Sequence, residues 1–362
     1  MINNTFEINS EEYFKKENFN SELKNIIQNF WIFICPSMFL VKKNDFFVFK
    51  GLGKNIVIKR IGDDKVVVFD NYCKHRGHQI HDKYFGNEET RCPYHGWLYD
   101  EDLKLSSLPW NEKCYHINKA SIQLDASVKI KQEDGVIWGY FGDKTNLSDI
   151  QYPAKKVSKE LKAFESLSSE SRSFVISQKK FHWRLIFDNL YDRVHPLFLH
   201  RNSIATKVNL NFESHPNDFS MEGVEDYLLS NFDHIGNSKN SNAIGLDKNI
   251  ETMEGDEYLN GHIYPFLHFL TPDGGKTFNY ESYIPVDEYT TIVMNFRFVG
   301  KKVSKSQHTS FLNEYLSFGS IVLNEDSRAV EYVTEVGKYN KILTYGAHEK
   351  PAVGLINLGK KK

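Results

Sequence analysis

The sequence predicts an α+β fold, in which a small all-β domain precedes a larger domain of antiparallel sheet and helices. Between Phe30 and Phe141, short apolar runs alternate with turn residues, as in strands joined by hairpins. Farther along, apolar residues at three- and four-residue steps over 309–338 indicate a long amphipathic helix. Strand-like segments precede that helix at 263–270, 277–284 and 290–299.

The elements follow in order along the chain. Residues 10–30 carry a helical pattern of apolar residues, and the apolar run that begins at Phe30 is predicted to be a buried strand. Two hairpins follow, one around Gly62-Asp63-Asp64 and one around Glu133-Asp134-Gly135. A strand over 174–177 and a helix from about Trp183 begin the second half.

These patterns predict three parts, which fit a length of 362 residues. Residues 1–29 form a helical segment that packs on the larger domain, 30–145 form the all-β domain, and 146–362 form the larger domain. The polar stretch at 146–170 is predicted to be a connection with a short helix. The stretch at 212–261, rich in Ser, Asn, Asp and Gly, is either a cover over a pocket or a variable surface loop.

Composition excludes several classes of protein. Lys and Arg number 45 against 47 Asp and Glu, so nothing favours a nucleic acid partner. The chain has four cysteines, too few for a disulfide scaffold, and its first residues do not resemble a signal peptide. The longest apolar run, Phe30 to Val41, is shorter than the about 20 residues that a spanning helix needs. We therefore expect a cytoplasmic protein without a membrane segment.

Two mixed pairs of ligand residues lie between the two hairpins, on predicted loops. They are Cys73 with His75, and Cys92 with His95. Two thiolates on one iron and two imidazoles on the other are the ligand set of a Rieske [2Fe–2S] cluster, which carries single electrons. The alternative is a structural zinc site, but zinc motifs usually pair like ligands.

A second constellation follows about 100 residues later, in the segment from Asp188 to His200. Asp192 and His195 are three residues apart and share a face if the segment is helical. His195 and His200 are five apart, about 140° on an unbroken helix, so they converge only if the helix breaks between them. Pro196 supplies a reason for such a break. Two histidines with a distant carboxylate are the facial triad of non-haem Fe(II).

The order, spacing and flanks of these motifs resemble the α subunit of Rieske non-haem iron oxygenases. The resemblance implies a Rieske domain and a helix-grip-like catalytic domain that holds a mononuclear iron. It implies His195 and His200 as iron ligands and Asp326 as the third ligand, with Glu325 and Glu331 as rivals. Two further roles follow from it. They are Asn189 near the iron and Asp192 as a carboxylate linking an iron histidine to His95 of the partner subunit.

Asp188 departs from the family pattern, which usually has Glu before that asparagine, so its role stays open between a site residue and an ordinary helix-surface carboxylate. His262 and His268 are predicted to be structural rather than ligands, because their strands are apolar.

The resemblance implies an enzyme, the terminal oxygenase component of a multicomponent system. It would use O₂ and electrons from a separate NAD(P)H reductase, directly or through a ferredoxin, to hydroxylate or demethylate a small organic substrate. The sequence contains no G-x-G-x-x-G after a strand, so no nicotinamide domain is predicted. A homotrimer is expected. Aromatic-ring cis-dihydroxylation is one alternative, and a Rieske electron carrier without oxygen chemistry is another.

Overall fold

The computed structural model describes most of the chain. The described residues are 5–63, 65–152, 172–192, 195–203, 259–271, 277–300, 303–339, 341–346, 349 and 352–356. The predicted connection at 146–170 lies mostly outside them, as does nearly all of the polar stretch at 212–261.

Sixteen strands and five helices of the described residues organise the fold. The strands of the first half are β1 (Thr5–Asn9), β2 (Ile32–Pro36), β3 (Asp45–Gly51), β4 (Lys54–Arg60), β5 (Val66–Asp70), β6 (Phe85–Asn87), β7 (Leu98–Tyr99), β8 (Leu105–Ser107), β9 (Lys129–Glu133) and β10 (Val136–Tyr140). Those of the second half are β11 (Arg172–Lys179), β12 (Leu259–Ile263), β13 (Leu267–Thr271), β14 (Thr277–Asp287), β15 (Thr290–Val299) and β16 (Ile342–Gly346). The helices are α1 (Glu11–Phe14), α2 (Lys16–Asn29), α3 (Trp183–Tyr191), α4 (His195–Leu199) and α5 (His308–Gly337).

The chain separates into two compact units. One consists of residues 31–145, and the other combines residues 1–30 with 146–362. Both contain antiparallel sheets, and the second adds the helices, so the predicted α+β class is confirmed.

Unit 31–145 is built from three small sheets. Their strand orders are β5-β4-β3-β6, β2-β10-β9 and β7-β8. Both predicted hairpins are present, as β4 with β5 and β9 with β10. In β4, Ile56, Val57 and Ile58 are all buried, because apolar side chains cover both faces of this sheet. The loops that carry the two Cys/His pairs lie between β5 and β7.

The other unit is organised around a five-stranded antiparallel sheet with the order β11-β15-β14-β13-β12. Helices α3 and α5 pack on this sheet, and the two-stranded pair β1 and β16 joins the first and last described strands. The long helix runs over His308–Gly337, one residue from its predicted bounds. None of the described helices combines the length and apolar character that crossing a membrane requires.

Three sequence expectations are wrong in detail. The single strand expected at 263–270 is two strands, β12 and β13, joined through Tyr264 and Pro265. Helix α3 ends at Tyr191, and Asp192 has extended backbone (φ −80°, ψ 117°), so Asp192 and His195 do not share one helix face. The run from Phe30 to Val41 is only partly strand, because β2 ends at Pro36 and a 3₁₀ turn follows.

The helix does end between the two histidines, but Pro196 is not its breaking point. Pro196 is the second residue of α4, in the first turn, where the missing amide hydrogen costs no hydrogen bond. The helix ends at Leu199, so His200 lies in the turn that follows.

Candidate metal centres

The two Cys/His loops have the same backbone design. The Cys73 amide donates to His78 O at 2.9 Å, and the Cys92 amide donates to Trp97 O at 2.8 Å, in each case five residues later. The amide of the glycine four residues after each cysteine donates back to the cysteine carbonyl. Those residues, Gly77 and Gly96, have φ of 71° and 73°, which glycine adopts without strain.

This shared design places the four side chains in two layers. The Cys73 and Cys92 thiols are buried, whereas the imidazoles of His75 and His95 are partly exposed, with their Nδ1 atoms 3.1 Å apart. The His75 ring is stacked on Trp97, with centroids 5.0 Å apart. Burial, with the nearby His95 and Arg76, lowers the pKa of His75, which favours the neutral ring that a metal ligand requires.

The four side chains fit a two-iron cluster better than a single zinc ion. A tetrahedral zinc at bonds of about 2.0–2.3 Å draws all its ligand atoms close together. Among the described residues, the only group of three or more potential ligand atoms within 4.8 Å of one another lies elsewhere in the chain. The two thiols and two imidazoles therefore do not converge on one point, as the zinc alternative demands.

Tyr99 is a site residue that the sequence analysis missed. Its hydroxyl lies 3.3 Å from Cys73 Sγ and accepts the Lys74 amide hydrogen at 3.1 Å. Burial and the contact with Cys73 raise the pKa of Tyr99 far above its ordinary value, so the phenol keeps its proton and can donate it to the sulfur. Its position four residues after His95 is the only signal in the sequence.

The second constellation is the group whose ligand atoms converge. One atom each from His195, His200 and Asp326 lies within 4.8 Å of the others. Asp326 Oδ1 is 3.5 Å from His195 Nε2 and 3.0 Å from His200 Nε2. Asp326 and His200 are buried, and His195 is partly buried. Two imidazoles and one carboxylate are the donor set of a 2-His-1-carboxylate iron site, and they fit that group.

Hydrogen bonds on the far side of each ring orient the Nε2 atoms toward this point. His195 Nδ1 donates to the main-chain carbonyl of Asp192 at 2.6 Å. His200 Nδ1 donates to Glu325 Oε2 at 2.7 Å, and the same oxygen accepts from Ser203 Oγ at 2.6 Å. Because Nδ1 keeps its proton, release of the proton from Nε2 would free the lone pair of that atom for a metal.

Asp326 is held by Asn189, whose amide donates to Asp326 Oδ1 at 2.8 Å. Burial acts to raise the pKa of Asp326, but hydrogen bonds and charge from His195 and His200 outweigh it and lower that pKa to about 2. The group is therefore a carboxylate at any physiological pH.

The rivals of Asp326 take other positions. Glu325 lies on the Nδ1 side of His200, outside the converging group, so it orients a ring instead of joining the ligand atoms. Glu331 accepts the amide hydrogen of Lys180 at 3.2 Å. Adjacent helix residues point about 100° apart, which is why Asp326 and Glu325 reach opposite sides of one ring.

His262 and His268 are buried and lie outside the converging group. His262 Nε2 is hydrogen-bonded to Pro265 O at 3.0 Å, and burial lowers its pKa to about 3. His268 Nδ1 is 2.9 Å from Glu281 Oε2. Neither imidazole therefore belongs to the converging group of candidate iron ligands.

The Asp192 carboxylate has a less direct position than the family role implies. Its Oδ2 is 3.9 Å from His195 Nδ1, beyond hydrogen-bond distance, whereas its main-chain carbonyl takes that hydrogen bond. The linking role of the carboxylate therefore stays a prediction.

Asp188 is not an ordinary surface carboxylate. Its Oδ2 accepts hydrogen bonds from the hydroxyls of Tyr13 at 2.7 Å and Tyr345 at 3.3 Å. Burial raises the pKa of Asp188 to about 7, against opposing contributions from Tyr13 and Arg184. The sequence could not show this, because both tyrosines lie more than 150 residues away along the chain.

The first of the two candidate centres lies in a segment that matches a known family model. Residues 30–123 match the model of the Rieske [2Fe-2S] domain family. The chain is 25% identical over 326 residues to the large oxygenase component of the 2,4-dinitrotoluene dioxygenase system of Burkholderia sp.. That alignment covers 80% of this chain and 70% of the relative.

A second relative is the oxygenase subunit of carnitine monooxygenase from Acinetobacter baumannii, 26% identical over 191 residues. This match covers 51% of the chain and only 49% of the relative.

Solved structures show the same fold over nearly the whole chain. A quaternary ammonium Rieske monooxygenase in complex with L-carnitine has a TM-score of 0.70 at 19% identity, covering 97% of this chain and 94% of that one. Naphthalene 1,2-dioxygenase with bound indole has a TM-score of 0.68 at 19% identity, covering 93% and 83%.

Proposed function

We propose that this chain, a homologue of the large oxygenase subunits of Rieske systems, is the terminal oxygenase of such a system and hydroxylates or oxidatively demethylates a small organic substrate. The observation that carries the proposal is the convergence of His195, His200 and Asp326 in a chain that also has a Rieske domain. An electron carrier needs no second metal centre, so the alternative of a Rieske carrier is not favoured.

The bound metals would supply distinct chemistry: the cluster passes single electrons, and Fe(II) in a facial triad keeps positions open for O₂ and substrate. The protein residues would hold the metals and orient the ligand side chains. Asn189 fixes the Asp326 carboxylate, and the contacts at Nδ1 fix both imidazole rings. Cys73, His75, Cys92 and His95 would hold the cluster.

Electrons would come from a separate flavin reductase that oxidises NAD(P)H, directly or through a ferredoxin. The relatives named as large components of dioxygenase systems support a multicomponent arrangement. We also propose a cytoplasmic location.

A homotrimer belongs to the same proposal, with Asp192 linking the iron site of one subunit to His95 of the partner subunit. One structurally similar monooxygenase is described as revealing inter-subunit electron transfer, which supports this arrangement. The partial exposure of His95 leaves its ring accessible to such a contact.

Cis-dihydroxylation of an aromatic ring is the second candidate function. It is favoured by the long alignment with the dinitrotoluene dioxygenase component, whereas carnitine monooxygenase favours the first. Labelling with ¹⁸O₂ separates them: one labelled atom in the product or in released formaldehyde fits monooxygenation. Two labelled atoms on adjacent carbons would instead establish the dioxygenase.

The iron site is tested with Asp326→Ala, using Glu331→Ala as a control on the same helix. Asp326→Ala should keep the electron paramagnetic resonance signal of the reduced cluster but lose one iron per chain and all turnover. Glu331→Ala should keep both irons and turnover. An active Asp326→Ala protein with full iron content would refute the proposed site, and loss of the cluster signal only in Cys92→Ala would support the Rieske assignment.

A further inference from the structure

A row of polar side chains crosses the five-stranded sheet. Directly opposed residues of antiparallel strands project from the same face. The pairs His262 with His268, His268 with Glu281, and Glu281 with Asn295 therefore form one continuous row over β12, β13, β14 and β15. All four residues are buried, so this polar row lies inside the protein.

The face that carries the row points toward the helices of the iron site. Phe187 of α3 stacks on His262 with centroids 3.7 Å apart and meets the ring of Tyr283 at 5.4 Å. Tyr283 follows Glu281 by two residues on the same face of β14. Burial and Glu281 are the main causes that raise the pKa of Tyr283, and the charge of Asp326 adds to them. Asp326 is therefore close enough to act on this face.

Glu281 is the centre of the row. Its Oε2 accepts hydrogen bonds from His268 at 2.9 Å and Tyr283 at 2.7 Å, and its Oε1 accepts from the amides of Asn279 at 2.6 Å and Asn295 at 2.9 Å. Burial acts to raise the pKa of Glu281, but these contacts and Arg297 outweigh it and lower that pKa. The carboxylate is thus ionised and rigidly held.

The two asparagines differ at their carbonyl ends. Asn295 Oδ1 accepts from Arg297 Nε at 2.9 Å. Asn279 Oδ1 is buried and has no hydrogen-bond partner among the described residues, although its amide is fixed by Glu281. Asn279, Arg297 and Ser173 oppose one another in the neighbouring cross-strand row, on the same face of the sheet, and Ser173 also has a buried hydroxyl without a described partner. This neighbouring row therefore presents unused acceptors.

An arrangement of buried, incompletely hydrogen-bonded polar groups lowers the free energy of unfolding if it has only a structural role. An unmade hydrogen bond at a buried polar atom costs about 1–3 kcal/mol, and apolar residues of similar volume stabilise an interior as well as a buried charge does. The same groups can select a ligand when they face an iron site. Buried polar groups distinguish ligands that complete their hydrogen bonds from ligands that do not.

We propose that this polar row, together with Asn279 in the neighbouring row, is the substrate-recognition surface of the oxygenase, and that this surface selects an amine or an alcohol whose N–H or O–H group binds Asn279. The inference rests on the proposed function, because it needs the iron site beside the row. Asn279 lies four residues from Tyr283 along β14, about 13 Å. Because Tyr283 is the residue nearer the iron site, the N–H or O–H group that binds Asn279 lies at the end of the substrate remote from the carbon that reacts. An aromatic hydrocarbon has no such group.

The test uses three probes with equal numbers of non-hydrogen atoms: 4-phenylbutylammonium, 4-phenylbutan-1-ol and n-pentylbenzene. Their dissociation constants are measured by calorimetry on the iron-loaded holoenzyme without O₂. The amine and the alcohol should each bind about tenfold more tightly than the hydrocarbon, the value of one hydrogen bond to a buried acceptor. Glu281→Gln should weaken the amine more than the alcohol, because it removes the charge and keeps the shape.

Asn279→Leu and Asn295→Leu form the matched pair. Each removes one donor to Glu281, but only the first removes the open acceptor. Asn279→Leu should abolish the preference for the amine and the alcohol, whereas Asn295→Leu should keep it. If either Leu variant loses its iron or its cooperative thermal transition, Asn279→Ala and Asn295→Ala carry the same comparison.

Equal binding of all three probes, binding of none, or an equal effect of both substitutions would overturn the inference and leave a structural network only. Those outcomes leave the proposed function standing, because iron content and the cluster signal are measured in the same samples. Loss of iron dependence in turnover would instead overturn the proposed function itself.

Discussion

Single hydrogen bonds hold the proposed metal ligands of both centres in position. At the proposed iron site, Asn189 and Glu325 each contact one proposed ligand, and at the proposed cluster site Tyr99 contacts one sulfur. None of these three would touch a metal directly. We therefore expect their substitution to change metal affinity or reduction potential.

Tyr99→Phe should lower the reduction potential of the cluster. The phenol hydrogen stabilises negative charge on Cys73 Sγ, and that charge increases on reduction, so losing the bond disfavours the reduced state. One hydrogen bond corresponds to about 20–60 mV for a one-electron couple. Tyr115→Phe is the matched control, because its ring lies 5.5 Å from that of His75. Redox titration checks the shift, and equal potentials in both variants would contradict the role of Tyr99.

Glu325→Ala should weaken Fe(II) binding without removing a ligand. The carboxylate holds the proton on His200 Nδ1, and loss of such a partner costs about 10–100-fold in metal affinity. Ser203→Ala removes the other donor to the same oxygen and leaves the imidazole contact, so its effect should be smaller. Titration of the iron-free protein with Fe(II) measures both, and complete loss of iron in Glu325→Ala would make Glu325 a ligand after all.

Among the elements, α3 joins the iron site to the two ends of the chain. One side of this helix presents Asn189 to Asp326, and the other presents Asp188 to Tyr13 of α1 and Tyr345 of β16. Arg184 of the same helix is paired with the buried Glu22 of α2 at 3.1 Å. The position of Asn189 thus depends on contacts of its helix with α1, α2 and β16.

Asp188→Asn should remove a pH dependence of stability. The folded-state pKa of Asp188 is raised from 3.8 to about 7, so folding favours its protonated form. Its stabilising contribution is present below the unfolded pKa and is lost as pH rises toward 7. The loss amounts to at most about 4 kcal/mol, at 1.36 kcal/mol per pKa unit. Groups that contribute to this pKa are Tyr13, Arg184, Tyr345 and Glu349.

Urea denaturation between pH 4 and pH 8 measures this effect. The unfolding free energy of the wild-type protein should fall relative to Asp188→Asn as pH rises, and the variant should be the more stable one above pH 7. Glu17→Gln, an exposed acid on α2, should follow the wild-type curve. Parallel curves for wild type and Asp188→Asn would mean that Asp188 is ionised in the folded protein.

Local patterns predicted most of the elements, and the failures have two causes, a weak local turn signal and long-range packing. Turn residues between alternating runs located both hairpins of unit 31–145, and helical periodicity located α5 to within one residue. The break between β12 and β13 escaped because the only turn signal in that apolar stretch is Pro265. The resemblance to Rieske oxygenases implied the residues that converge, but only packing decides whether Asp326 or Glu325 faces His200 Nε2.

For the whole molecule, the recognition of a Rieske oxygenase homologue from short motifs is confirmed by the family match and by the relatives. The four proposed cluster residues lie in two short motifs, and two of the three proposed iron ligands lie in a third, so each motif can be recognised from neighbouring residues alone. The assembly is different, because an interface between subunits leaves no comparable local pattern. The homotrimer stays a prediction.

Mixed assemblies of two inactive chains test that prediction. Cys92→Ala should lack the cluster and keep the iron site, and Asp326→Ala should lack the iron and keep the cluster. If electrons pass from the cluster of one subunit to the iron of its neighbour, co-expressed chains form some junctions with an intact cluster facing an intact iron site.

For random equal mixing in a ring, about one quarter of junctions are competent. Single-turnover oxidation of the reduced cluster by O₂ should therefore recover to about a quarter of the wild-type extent, whereas each variant alone gives none. Transfer within one chain predicts no recovery at any mixing ratio, and that result would remove both the inter-subunit path and the linking role of Asp192.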